Sequence, residues 1–281
     1  MVTRAALSTF CGRCLAQPCE EGYAASLPSW CPTKNGAEMA DHSVETSPQI
    51  YARIGGWLYL IIIVAGISAE LFVRDRLIVS GDATATANNI MASELLFRVS
   101  VAVEQIWLVC AVAVTLILYV LLRPVSKNLA LLAAFFNLVS IAVEGVATVT
   151  LFAALFFYGG SGYLKAFEPN QLHALAYLSL KLYDYGFAIS LVFFGCCLSL
   201  YGYLIFRSGY FPKTLGVLLI VASLSYLANS FVLFLAPAYA AMIFPILVLA
   251  FIGETSLCLW LIVKGVNVPK WQHQASVGRA A

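Results

Sequence analysis

Residues 187–206 read FAISLVFFGCCLSLYGYLIF, twenty consecutive residues without a charge. A helix needs about 20 mainly apolar residues to cross the hydrocarbon core of a bilayer. Immediately before this run stands KLYDYGF, which ends in Phe187 and places Lys181 and Asp184 at its threshold. Immediately after it stands Arg207. Charge, apolar run and charge in that order describe a membrane span. The rest of the chain repeats the pattern.

Five further runs qualify. They are Ile54–Val73, between Arg53 and Arg74; Val99–Leu122, stopped by Arg123-Pro124; Asn128 to about Phe157; Leu215–Phe234, bracketed by Pro212 and Pro237; and Met242–Val263, ahead of Lys264. Proline cannot continue the backbone ladder. Lipid cannot satisfy a broken one, so all six spans must be helical. The expected fold class is therefore all-α, a polytopic membrane protein of six transmembrane helices. Composition agrees. Of 281 residues, 62% are hydrophobic and 11% charged, against about 25% charged in soluble domains; the mean hydropathy is +0.89. A net charge of +2 without a basic, aromatic-interleaved patch gives no ground for nucleic-acid binding. The lipid bilayer is the one partner the sequence implies directly, and protein partners are left unknown.

Orientation follows from lysine and arginine. With the N-terminus inside, the inner segments from residue 53 onward hold eight: Arg53, Arg123, Lys127, Arg207, Lys213, Lys264, Lys270 and Arg279. The outer segments hold five: Arg74, Arg76, Arg98, Lys165 and Lys181. Both termini are expected in the cytoplasm of a cell whose plasma membrane the chain crosses. Trp57 and Tyr59 on one side, and Tyr158, Tyr183 and Tyr185 on the other, read as interface anchors.

The inner connections RPVSK and RSGYFPKT are tight. The outer ones are longer, and each is expected to carry a short interfacial helix. Asp82 is placed to cap the first. Pro169 suits the first turn of the second, expected to run to Tyr185 and to bend near Gly186. Gly195, Ser199 and Gly202 form a small-residue ladder suited to close helix packing. The openings RIGGWLYLI, KNLALLAAF and KTLGVLLIV are alike enough to raise a threefold hairpin repeat, though any basic-then-apolar opening looks so.

Residues 1–47 form a polar leader without a signal-peptide apolar region. It is expected to be disordered, with Met39 a candidate start. Cys11, Cys14, Cys19 and Cys31 raise a zinc or iron–sulfur site, but the second pair is widely split and no histidine stands nearby. Cys110, Cys196, Cys197 and Cys258 read as packing residues inside helices. Residues 272–281 are expected to be a disordered tail, leaving residues 48–271 as the membrane domain.

Ionisable residues within spans are costly, and each is a candidate functional residue. Glu70, Glu104, Glu144 and Glu254 lie in spans, with Arg98 and Asp184 at span edges and Asn229 five residues from the outer end of its span. The carboxylates lean to the outer half, as a polar outer vestibule would have them. Local pairing competes with that reading: Glu70 with Arg74 and Glu94 with Arg98 at i, i+4, and Lys181 with Asp184 at i, i+3. Glu104, Glu144 and Glu254 have no local partner. They need a partner from another helix, a wet cavity or protonation.

No complete catalytic motif is present: no H-E-x-x-H, G-x-S-x-G, P-loop, dinucleotide fingerprint or C-x-x-C-H. No cofactor or metal site is assigned; a metal held by His173, Asp184, Glu70 and Glu104 is conceivable on residue type alone. The strings YARIGGWLYLIIIVAGISAELFVR, GDATATANNIMASELLFR, LLRPVSKNLALLAAFF, LYDYGFAISLVFFG, YLIFRSGYFPKTLGVLL and FIGETSLCLWLIVKGVN, in this order, resemble a bacterial membrane family catalogued as domain of unknown function 4386. The resemblance covers about residues 48–271. It implies six spanning helices in an integral membrane protein and carries over no activity. Three expectations about function stand together. The first is transport or sensing of a small solute, ion or proton through a carboxylate-lined outer vestibule. The second is a non-catalytic membrane partner or assembly protein. The third is a lipid-modifying intramembrane enzyme.

Overall fold

A computed structural model describes residues 47–158 and 162–280. The leader, with its four cysteines, Met39 and His42, lies outside the described residues, as do residues 159–161 of the second outer connection.

Eight helices carry the architecture of the described residues: α1 (Pro48–Ala69), α2 (Ala83–Ala92), α3 (Glu94–Leu122), α4 (Lys127–Tyr158), α5 (Pro169–Ser208), α6 (Lys213–Leu235), α7 (Leu247–Val263) and α8 (Val268–Ala280). Six helices are long and apolar enough to cross a membrane: α1 continued to Leu77, α3, α4, α5, α6, and α7 with the short turns from Pro237 that precede it. The protein is a multi-pass, all-helical membrane protein.

The six spans close on themselves. Each packs against the next, α1 on α3, α3 on α4, α4 on α5, α5 on α6 and α6 on α7, and α7 returns onto α1. Large apolar side chains point outward, Val109, Val146, Leu116 and Phe135 among them, as lipid-facing positions must. Small residues allow the close approaches. A Cβ on Gly202 would lie 2.8 Å from the Gly216 carbonyl oxygen, and one on Gly216 would lie 2.6 Å from that of Gly202. On the same face Ser199 and Ser223 share a hydrogen bond across α5 and α6. The small-residue ladder of the sequence is this seam.

Two helix starts match the sequence. The Asp82 carboxylate accepts from the Ala85 N–H at 2.8 Å and caps α2. Glu168 and Gln171 form a reciprocal capping box at Pro169. The second outer helix differs from expectation. It does not end at Tyr185, but is the beginning of α5, one helix of 40 residues with Gly186 in its interior. At 1.5 Å per residue that is about 60 Å, twice the hydrocarbon thickness of about 30 Å. Its first turns therefore stand out of the membrane. At Gly186 a Cβ would meet Ala147 Cβ at 2.6 Å. Glycine is needed where α4 and α5 touch.

The expected tail is also different. Residues 272–280 are helical and belong to α8. The Asn267 side chain accepts from the Lys270 N–H and starts the helix. Trp271 is buried and donates to the Leu121 carbonyl at 2.9 Å. Tyr210, in the loop before α6, donates to the same carbonyl at 2.8 Å. Burial pushes the Tyr210 hydroxyl above its ordinary range, so it remains a donor across the physiological pH range. Leu121 stands just before Arg123-Pro124, where helix carbonyls lose their backbone donors. The two aromatic donors fill that gap and tie three connections together.

Candidate functional site

The intramembrane carboxylates fall into two groups, separated by a pair of aromatic rings. The outer group starts from a local irregularity. After Ala69 the backbone widens into a π-helical turn, Glu70–Arg74. Such turns re-aim side chains and recur at functional sites. Here Arg74 reaches three partners. Its guanidinium contacts Glu70 at 3.2 Å, donates to the Tyr183 hydroxyl at 2.6 Å, and stands 3.7 Å from Glu104. The Tyr183 hydroxyl in turn donates to Glu104. Arg74 also lies over the Tyr183 ring, 4.4 Å from its centre. Glu70 is partly exposed, with 41% of its side chain accessible, whereas Glu104 has 2%. The group therefore leads from an exposed carboxylate through one arginine to a buried carboxylate.

The inner group lines a cavity of about 150 Å³ at the centre of the ring. All six spans contribute: Tyr59 of α1, Trp107 of α3, Glu144 of α4, Phe187 of α5, Tyr226 of α6 and Glu254 of α7. Each Glu254 oxygen receives a hydroxyl, Oε2 from Tyr59 at 2.9 Å and Oε1 from Tyr226. Glu144 differs. It is buried, and its Oε1 has no hydrogen-bond partner. The Tyr201 hydroxyl, in the wall of the same cavity, has no nitrogen or oxygen partner and neighbours the Cys197 thiol one helical turn away. Among the described residues, no lysine, arginine or histidine lines the cavity. Further polar positions in its wall are satisfied: Asn137 donates to Thr115 at 2.6 Å, and Ser140 donates to the Ser190 carbonyl at 2.8 Å.

Phe187 belongs to both groups. It lines the cavity, stacks on Tyr183 and meets Trp107 edge-on. The aromatic rings thus form the partition between the outer group and the cavity.

The sequence-derived candidates sort cleanly against this geometry. Glu70 and Glu104 meet at Arg74; Glu144 and Glu254 share the cavity. Asp184 lines the pocket that also holds Arg74 and Glu104, but its ion pair is with a neighbour on its own helix. It pairs with Lys181 at 3.0 Å, with both side chains over two-fifths exposed. Arg98 pairs with Glu94 at 2.7 Å on the surface. Asn229 is half-buried and lines neither the cavity nor the pocket around Arg74. No group of three histidine, cysteine, aspartate or glutamate side chains suited to a metal ion is found among the described residues. The candidate carboxylates thus divide between a charged group around Arg74 and a central cavity.

Four residues of the site lay outside the sequence-derived set. Arg74 reads in sequence as the local partner of Glu70, and Tyr59 and Tyr183 read as interface anchors. Both tyrosines are instead buried, with 5% and 1% exposure. Tyr226 drew no notice. The available signal was its position mid-span, where a phenolic hydroxyl needs a partner.

Fold and site define a six-span membrane protein with titratable side chains gathered inside the helix ring. The chain belongs to the family described as Domain of unknown function (DUF4386), whose sequence model matches residues 54–265. It is similar to an uncharacterized protein of Archaeoglobus fulgidus, 32% identical over 154 residues, which cover 55% of this chain and 76% of that protein. No solved structure matches the chain.

Proposed function

We propose that the protein moves or senses a small solute, ion or proton across the plasma membrane, in bacteria the inner membrane, with both termini in the cytoplasm. The observation that carries this reading is Glu144: a buried acid with an unpartnered oxygen, beside a second acid, in a cavity that every span helps to build. A carboxylate kept only for packing would be hydrogen-bonded, as Glu254 is. Glu104, at the inner end of the Arg74 group, faces the outer side, and the Phe187 partition stands between it and the cavity. Rotation of that ring joins the two. The eight-to-five excess of inner lysine and arginine supports the orientation.

The test is flux. Purified protein in liposomes with an entrapped pH-sensitive dye is given an imposed proton gradient, with candidate solutes present or absent. Expected is a protein-dependent flux that Glu144→Gln removes while the variant still folds and inserts. Unchanged flux or signalling with glutamine at Glu104, Glu144 and Glu254 together would sink the reading.

A further inference from the structure

We infer that the central cavity is a binding site for a small organic ammonium ion, one of about five or six non-hydrogen atoms in all. The inference rests on taking the cavity as the working site and names its ligand class.

Four observations converge. The first is size. An engineered cavity of about 150 Å³ takes benzene, whereas drug-sized ligands occupy about 300–1,000 Å³. At about 150 Å³ this cavity fits a compact molecule and is too small for a lipid. The second is charge. Two carboxylates, Glu144 and Glu254, line it, and among the described residues no basic side chain does. Buried charge requires a counter-charge or neutralisation, and a cationic ligand supplies the first. The third is hydrogen bonding. Glu254 already accepts from two tyrosines, but Glu144 Oε1 has no partner and the Tyr201 hydroxyl has no nitrogen or oxygen partner. An alkylammonium head carries three N–H donors, and the Glu144 carboxylate in the cavity wall has unused acceptor capacity. The fourth is the wall. Trp107, Phe187, Phe194 and Tyr226 present aromatic rings, and aromatic faces attract ammonium ions. A neutral apolar molecule would leave both acids as they are.

The test uses the full chain in detergent micelles and follows the thermal unfolding midpoint against ligand concentration, since a ligand of the native state raises it by mass action. The probes are isobutylammonium chloride, isobutanol and sodium chloride at matched ionic strength. Expected is a saturable rise with isobutylammonium, at least about ten-fold tighter than with isobutanol, a difference of about 1.4 kcal/mol. Glu144→Gln should remove that preference, Tyr201→Phe should weaken it, and Lys181→Ala, on the surface, should leave it intact. If Glu144→Gln does not fold, the Tyr201→Phe result decides. Equal response to isobutanol would mean a plain apolar void and overturn the inference. Equal response to sodium chloride would mean an inorganic cation site and overturn it too, as would no saturable response. Flux that depends on Glu144 without ammonium binding refutes this ligand class and leaves the transport reading standing. Ammonium binding with unchanged Glu144→Gln flux does the reverse.

Discussion

The outer group around Arg74 and the central cavity hold the same kind of side chain in opposite conditions. Around Arg74, two carboxylates share one guanidinium and a tyrosine hydroxyl, and every charge has a neighbour of opposite sign or a donor. In the cavity, two carboxylates share no cation, and one of them keeps an oxygen without a partner. The first arrangement is what helix packing asks of a charge inside a membrane. The second is what packing alone would eliminate. The difference separates an acid that holds the fold together from an acid left available for a ligand or a proton.

The largest effect should come from breaking the compensated group. Arg74→Met strands Glu104 in a site with 2% side-chain exposure. Loss of one partner of a buried ion pair costs about 3–5 kcal/mol. Denaturant unfolding in micelles should show a loss of that order, and adding Glu104→Gln should recover much of it. A loss below about 1 kcal/mol would mean that the group is not compensated in this way.

Next comes Tyr226→Phe, which removes one of two donors to Glu254. Hydrogen bonds to charged groups contribute about 1.5–3 kcal/mol, and the same unfolding measurement should register that loss. Gly186→Ala probes the junction between the two regions. Its Cβ would stand 2.6 Å from Ala147 Cβ, and overpacking of this kind costs about 1–3 kcal/mol. Gly66→Ala is the contrast. Its Cβ would meet only Trp107, at an ordinary 3.6 Å, so thermal stability should hold or rise slightly. The smallest effect belongs to Lys181→Ala. An exposed pair contributes about 0–1 kcal/mol, so neither stability nor flux should move measurably. A clear loss of flux would bring Asp184 back into the working site.

The six spans were legible in the sequence, because a hydrophobic run of fixed length has only one structural solution in lipid. The pairing of Glu70, Glu94 and Asp184 with their i+4, i+4 and i−3 neighbours was legible for the same reason: helical spacing is fixed. What joined distant helices was not. Tyr59 and Tyr183 have the composition of interface anchors, and only the helix rotation that packing sets decides whether a tyrosine faces headgroups or an acid. Gly186 read as a bend because glycine permits one, but the same missing Cβ permits contact with Ala147. The π-helical turn that aims Arg74 at Tyr183 leaves no mark in residue type. The tail read as disordered from its polarity, whereas one buried tryptophan and one capping asparagine suffice to order α8.

The central claim is that Glu144 alone among the buried acids of the described residues is uncompensated. Glutamine substitution tests it directly, by comparing the thermal unfolding midpoints of Glu104→Gln, Glu254→Gln and Glu144→Gln in the same detergent at the same pH. Glu104→Gln should lower the midpoint by weakening the Arg74 group, and Glu254→Gln by setting an amide N–H₂ against a tyrosine donor. Glu144→Gln, which breaks no hydrogen bond to Oε1 and removes an unpaired acid, should leave the midpoint unchanged or raise it. A loss at Glu144→Gln as large as at the other two would contradict the account.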